Sequence, residues 1–276
     1  MENVSVIELQ SHSTYSDGEL PPAGVVAAAA EAGVTTLALT DHDAVDGIAE
    51  ADSAARELGI ALIPAAEISC VHSDLDDLHM LGYFIDPAAM RSACERAQQE
   101  RVVRAEEIVA NLNRLGVEVS FEEAIAKAGD ASSVGRPHIA KAAGVEPDGM
   151  SAFFEEYLVP GAKAFVSRRW PTAAEAADLI REAGGSVVLA HPFWDLDDPT
   201  RVADLIDDLP LDGVEVFYPS HTEEQTAFLV ELCADRGLAT TASSDFHGPD
   251  HKMFSKFGAY ETFGLGKPEL PPAVSG

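Results

Sequence analysis

Two rhythms of apolar residues take turns along this chain. Short runs rich in Val, Ile, Leu and Thr, at 4–9, 34–40, 60–69, 77–86, 186–190, 212–218 and 238–243, read as strands. Ala-rich stretches between them, at 21–33, 48–59, 172–185 and 222–237, read as helices. Their ends carry matching signals. Pro22 suits a first helical turn, and Gly33 and Gly59 suit helix stops. Thr172 with Glu175, and Thr222 with Gln225, have the spacing of a capping box. Strands alternating with helices predict an α/β fold with a parallel sheet, open or closed into a barrel.

The alternation stops between Pro87 and about Gly161. In "RVVRAEEIVANLNRLG", Val102, Ala105, Val109 and Leu112 share one helical face. "FEEAIAKAG", "RPHIAKAAG" and "SAFFEEYL" read as shorter helices. No strand of comparable strength interrupts them. The chain therefore divides into one unit of 1–88 plus 163–276 and a helical insertion of 89–162.

Charge narrows the function. The chain has 276 residues and a net charge of −29. An acidic surface repels long nucleic acid, which binds mainly through Lys and Arg, so a phosphate-bearing ligand must be caught locally by metals or a few placed cations. Cys70, Cys94 and Cys233 have no paired spacing, which argues against a disulfide framework and suits a reducing cytoplasm. "MENVSVIEL" lacks the basic and long apolar regions of a signal peptide, and no apolar run spans a bilayer. The expectation is a cytoplasmic protein without a membrane partner.

The chemistry-bearing residues fall where the predicted strands end. His12 and Asp17 follow the first, His42 follows the second and Glu67 ends the third. His79 lies on or beside the fourth, His191 follows the fifth, and Asp245 and His247 follow the last. Parallel strands present their C-terminal ends on one face, so these residues are expected to converge. Imidazole and carboxylate without thiolate suit Mn, Zn or Fe better than Mg alone. The set exceeds what one ion needs, so two or three divalent ions are expected.

At this point "HSTYSDG", "LTDHDAVDG", "EIS", "HMLGYF", "LAHP" and "SSDFHG" resemble the ordered motifs of the PHP (polymerase and histidinol phosphatase) family. The insertion with "GRPHIA", followed by "GAKAFVSRRWPT", resembles the branch of 3′,5′-nucleotide bisphosphate phosphatases and short-oligonucleotide 5′–3′ exoribonucleases. The resemblance implies a distorted (β/α)7 barrel with a trinuclear site. Carried over, Glu67 would bridge two ions, with His12 and Asp245 completing the first shell. His79 and His191 would hold the second ion, and Asp17, His42 and His247 the third. Glu67, Asp245 and His191 would stand nearest the chemistry, with Mn2+ the leading choice of ion. The chain departs from the family at Gln10, where "QSH" replaces "HxH". An amide oxygen is neutral and a weaker ligand than imidazole for Zn-like ions, so the first ion is expected to bind more loosely or to differ in identity.

A water shared between two such ions loses a proton near neutral pH and attacks phosphorus in line, while the ions neutralise the phosphoryl oxygens. No nucleophile elbow and no P-loop are present. The branch resemblance implies removal of the 3′-phosphate from a 3′,5′-bisphosphonucleotide such as pAp, or release of 5′-terminal nucleotides from short RNA. Arg136, Lys163, His221 and His138 are the candidates for holding that substrate. Arg168, Arg169 and Trp170 form a basic-aromatic group, with core packing the expectation for Trp170. Asp41 is placed to orient a ligand His, Asp43 to cap a helix, and His72 and His251 read as solvated. Two alternatives stay open: a histidinol-phosphatase-like monoesterase, and a degenerate metal- or nucleotide-binding protein whose support is Gln10.

Overall fold

The computed structural model describes residues 6–129, 134–194 and 196–273. Seven strands form one sheet in sequence order: β1 (Val6–Glu8), β2 (Val34–Leu39), β3 (Ala61–His72), β4 (Leu75–Tyr83), β5 (Ser186–Leu189), β6 (Gly213–Phe217) and β7 (Ala239–Ala242). Of the first predicted strand, Val4 and Ser5 lie outside the described residues. The helices that connect the strands are α1 (Pro22–Glu31), α2 (Ile48–Leu58), α7 (Ala173–Glu182), α8 (Pro199–Asp208) and α9 (Glu223–Arg236). The capping boxes at Thr172 and Thr222 form, and Gly59 and Gly237 end their helices in the left-handed region. Sequence reading missed α8, whose start is marked by the Asp198 side chain accepting from Thr200 N at 2.9 Å and by Pro199.

The sheet is not wholly parallel. β4 pairs antiparallel with both β3 and β5, and every other pair is parallel. The reason is length. Only Ser73 and Asp74 separate β3 from β4, and so short a link can only reverse the chain. Both strands reach further into this hairpin than the sequence suggests.

Side chains from β2–β5 and the adjoining Leu9 and Ala190 form an apolar cluster with no helix residue in it, including Ala38, Ile63, Leu81, Tyr83 and Val188. The Tyr83 hydroxyl crosses this cluster to donate to Leu9 O at 2.9 Å, so the sheet curls around its inner face. At the outer strands, Leu9 N donates to Ala242 O at 3.2 Å, and Ser11 bridges Phe246. These bonds draw the ends of β1 and β7 together. The outer face packs on the helices through a second cluster that includes Met80, Ile180, Val202, Val216 and Leu229.

The helical stretch begins with α3 (Pro87–Arg114), a single helix of 28 residues, or about 42 Å of rise. Its two halves serve different cores. Met90 and Cys94 join the sheet's outer cluster, whereas Ala105, Ile108, Val109 and Leu112 anchor a separate one. That second cluster also takes residues from α4 (Phe121–Ala128), α5 (Arg136–Ala142) and a π-helical turn (Phe154–Leu158) that follows the short α6 (Met150–Phe153). Val102, placed on the apolar face by its spacing, is only half-buried, and Ile108 takes the fully buried position.

Gly185 sits where α7 turns into β5. A Cβ there would lie 2.6 Å from Ile85 Cγ2 and 2.9 Å from Tyr83 O. Gly185→Ala should therefore cost about 1–3 kcal/mol through overpacking. Urea denaturation checks this, as a lowered midpoint with an unchanged slope.

Candidate metal centre

The loop after β1 is held in shape by its own sequence. Ser16 N and Gly18 N both donate to Ser13 O at 3.0 Å. A Cβ on Gly18 would stand 2.2 Å from His12 O, so only glycine lets the loop close. Buried Asp41 fixes it from the next strand, accepting from Ser13 N at 2.6 Å and from the Ser13 and Ser16 hydroxyls at 2.7 Å. Asp41 thus positions the loop that carries His12 and Asp17, and it reaches the His12 ring through Ser16, whose hydroxyl oxygen lies 3.4 Å from His12 Nδ1.

Glu67 lies at the centre. Its Oε1 is 2.9 Å from His79 Nδ1 and 3.3 Å from His191 Nε2. Its Oε2 is 3.2 Å from His12 Nε2 and 3.3 Å from His42 Nδ1. Asp245 Oδ1 stands 3.1 Å from His12 Nε2, and its other oxygen accepts from the Tyr218 hydroxyl at 2.8 Å. Asp17 lies 3.8 Å from both His12 and His42 and 3.5 Å from His247. The eight residues other than Gln10 that were expected to converge do so. His79 arrives from the middle of β4, the strand that runs the other way, rather than from a strand's C-terminal end. His247 Nδ1 donates to Asp245 O at 2.7 Å, so Nε2, 3.5 Å from Asp17, is the nitrogen left to carry a proton or meet an ion.

These groups suit divalent cations. His12 Nε2, His42 Nδ1, Glu67 Oε2 and Asp245 Oδ1 are buried and lack a hydrogen-bond partner, a costly arrangement that a cation would relieve. Among the described residues two sets can close on an ion: His12, Asp17, His42 and His247, and His42, Glu67 and His79, with ligand atoms within 4.8 Å of one another in each. His42 belongs to both. Without metal, protons take the cation's place. Burial opposes charge on His191, yet Glu67 beside it lifts its pKa to about 9. His12 is likewise raised against its burial, by Asp245 and Glu67. His42 is pushed down to about 4 by burial, so its lone pair is free. The surrounding imidazoles hold Glu67 well below the usual carboxylate range in spite of burial.

Gln10 is wholly buried beneath this cluster. Its Oε1 lies 3.5 Å from the Ser243 hydroxyl, and its Nε2 has no hydrogen-bond partner. The single Ser243 proton goes to the nearer Glu215, whose other oxygen accepts from His191 N at 2.9 Å. Burial lifts Glu215 to about 7 and Glu8, bonded to Ser244 and Gly258, to about 8. Sequence reading missed both, because strand glutamates look like any polar position until the facing loop is known.

Beside the ligands opens a cleft of about 220 Å³ between the sheet and the helical stretch that follows β4, with Asp17, His42 and His79 in its lining. Arg101, Arg104, Arg136 and Arg168 line it, together with His138 and Phe154. Arg136 pairs with Asp77, Arg101 pairs with Asp43, and Arg168 lies 3.5 Å from Asp77 and 3.7 Å from Asp43. Asp43 therefore holds two arginines rather than serving as a helix cap. Arg104 donates to Val166 O at 2.7 Å while its Nη2 is buried without a partner. Burial brings its pKa down to about 9. Arg101 and Arg104 were legible only as polar positions of an amphipathic helix.

Other candidates lie elsewhere. Lys163 is exposed and pairs with Glu156 at 2.6 Å, outside the cleft. His221 is buried behind Tyr218, with Nδ1 donating to Val216 O at 2.9 Å. Neither lines the cleft, because each already has its partner in the scaffold. Trp170 is a core residue under the Arg96 guanidinium. His251 is not simply solvated, since it stacks on Phe254.

A PHP-domain model matches residues 8–141. The 3′,5′-nucleoside bisphosphate phosphatase of Chromobacterium violaceum is 35% identical over 253 residues, covering 88% of this chain and 87% of the relative. This chain belongs to the PHP family. The 5′-3′ exoribonuclease of Haemophilus influenzae is 34% identical, with 88% of this chain and 90% of the relative covered. A solved amidohydrolase structure from Chromobacterium violaceum, with sulfate bound and no metal, superposes with a TM-score of 0.82 at 31% identity, over 98% of this chain and 93% of that one. Family and site together make the PHP chain a metal-dependent phosphoesterase. Among the described residues no helix is long and apolar enough to cross a membrane.

Glu67 raises the His191 pKa to about 9 in the metal-free protein, so an ion that took His191 as a ligand would displace a proton. Calorimetric titration with Mn2+ should show affinity rising with pH through that value, with proton release seen as a dependence of the heat on buffer. Glu67→Gln should lose most of the binding.

Proposed function

We propose that this PHP-domain protein removes the 3′-phosphate of a 3′,5′-bisphosphonucleotide such as pAp, leaving AMP, and that the same site releases 5′-terminal nucleotides from short oligoribonucleotides. One observation carries the reading: the metal centre opens into a cleft with four arginines, in a chain of net charge −29. A simple monoester would have no use for a second cationic pocket. A substrate with two phosphates fills both, one at Glu67 and its imidazoles, the other among Arg104, Arg136 and Arg168. Charge-assisted bonds from guanidinium to phosphate are strong and bidentate. The histidinol-phosphatase-like alternative gains nothing from this pocket.

Bound divalent ions, Mn2+ foremost, would supply acidification of water and neutralisation of the phosphoryl oxygens. Glu67, His12, Asp245, His79, His191, Asp17, His42 and His247 would hold them, with Gln10 contributing at most a neutral oxygen. The chain's remaining task is orientation. Tyr218 keeps its proton, since burial raises its pKa, and so fixes one oxygen of Asp245 while the other faces the centre. Glu215 anchors the backbone of His191, which stands in the left-handed region at φ 24°. His138, held partly neutral by burial, borders the path between the two phosphates.

With Mn2+ present, the protein should convert pAp to AMP, and chelation should abolish the reaction. Arg104→Ala and Arg136→Ala should each raise KM for pAp by about tenfold to a hundredfold, the size of a lost hydrogen bond to charge. Their effect on p-nitrophenyl phosphate should be much smaller. Equal effects on both substrates would contradict the two-phosphate reading.

A further inference from the structure

The ligands look out in two directions. Asp17, His42 and His79 face the arginine cleft, and neither His191 nor His247 lines it. On the His191 and His247 flank stands a wall of aromatic rings. Trp194 lies 6.1 Å from the His191 ring, 6.3 Å from Tyr218 and 5.8 Å from Phe254. Phe254 in turn lies 5.5 Å from His247 and stacks on His251 at 5.2 Å. Tyr218 donates to Asp245, so the wall is one ring removed from the centre.

Trp194 is placed unlike the chain's other tryptophan. Trp170 is 9% exposed and covered by Arg96, whereas Trp194 is 47% exposed. A tight turn fixes it, with Trp194 N donating to His191 O at 2.8 Å. An indole braced by three rings, none of them stacked parallel on it, and still half exposed is costly to leave in water and well suited to cover a flat partner.

The chemistry of a phosphodiester supplies that partner. Its phosphorus carries a nucleoside on each side. The nucleotide bearing the 5′-phosphate occupies the arginine cleft, so the next nucleotide must leave on the opposite flank. We propose that Trp194, backed by Phe254 and Tyr218, is the platform on which the base of the nucleotide following the scissile phosphate stacks. This rests on the reading of the site given under Proposed function. It also explains how an acidic chain can hold a second nucleotide: base stacking needs no positive charge and tolerates any base. In the step itself, water supplies the hydroxyl that stays on phosphorus and the proton taken by O3′. The P–O3′ bond breaks, giving a 5′-mononucleotide and a shortened product with a new 5′-phosphate.

The test compares pAp with the 5′-phosphorylated dinucleotide pApA on the Mn2+-loaded enzyme. Trp194→Ala should lower kcat/KM for pApA by about fivefold to 150-fold, the range of a base–aromatic stack, mainly through KM. Trp194→Phe should restore much of it. Hydrolysis of pAp, which has no base to place there, should change by less than about twofold on the same scale. A dinucleotide whose second residue is abasic should be cut slowly by wild type and be insensitive to Trp194→Ala. Equal losses on pAp and pApA, or no loss on pApA, would overturn the platform alone. Failure of wild type to cut pApA while it hydrolyses pAp would overturn the platform together with the oligoribonucleotide half of the proposed function. Inactivity on both substrates would overturn the reading of the site and the platform with it.

Discussion

One buried carboxylate organises this molecule. Glu67 has no exposure, and each of its oxygens faces two imidazoles. A carboxylate so placed is expensive unless positive charge surrounds it. The four histidines come from four separate segments: the loop after β1, the loop after β2, the middle of β4 and the turn after β5. Whatever cation sits among them, proton or metal, ties those segments to β3. The functional rim is thus also a structural joint, and the loops around it are shaped for that purpose. Gly18 closes the first, Asp41 pins it, and Glu215 anchors the backbone of His191.

Beside that centre the chain gathers four of its 18 Lys and Arg side chains. Its acidic surface repels polyanions. Arg101, Arg104, Arg136 and Arg168 gather instead in a single cleft, with Asp43 and Asp77 keeping the cluster from repelling itself apart. Arg101, Arg136 and Arg168 each lie within 4 Å of a carboxylate, whereas Arg104 has no such partner among the described residues and is the member whose charge is least answered by the protein. The helical stretch from Pro87 to Leu158 matters for this reason. The far half of α3 and the start of α5 form the wall that carries three of the four arginines, and their own apolar cluster holds that wall in place.

Much of this was legible in the sequence because strands end where ligands begin. His12, His42, His191, Asp245 and His247 could be assigned to one rim from chain order alone, and they meet there; Glu67 joins them from the middle of β3, which runs on to His72 instead of ending at Glu67 as expected. His79 could not be placed by the same rule, because the two-residue link at Ser73 and Asp74 turns β4 around. The expectation of a parallel sheet failed at that one strand. Lys163 and His221 looked equivalent to Arg136 by position, yet Lys163 faces solvent and His221 is committed to Val216. The arginines of α3 were hidden because a helix face is defined by what packs on it, and that partner is distant in sequence. Glu8 and Glu215 were hidden by the same rule, since a glutamate in a strand gives no sign that the opposite side is a buried polar layer. Gln10 was visible as a departure; its neighbours, Ser243 and through it Glu215, were not.

The most direct test of the central claim is anomalous diffraction from crystals soaked in Mn2+. The account predicts at least two peaks in contact with the imidazole and carboxylate atoms of the rim, with Glu67 ligating more than one of them. Manganese bound elsewhere, with the atoms around Glu67 left free of any peak, would contradict it.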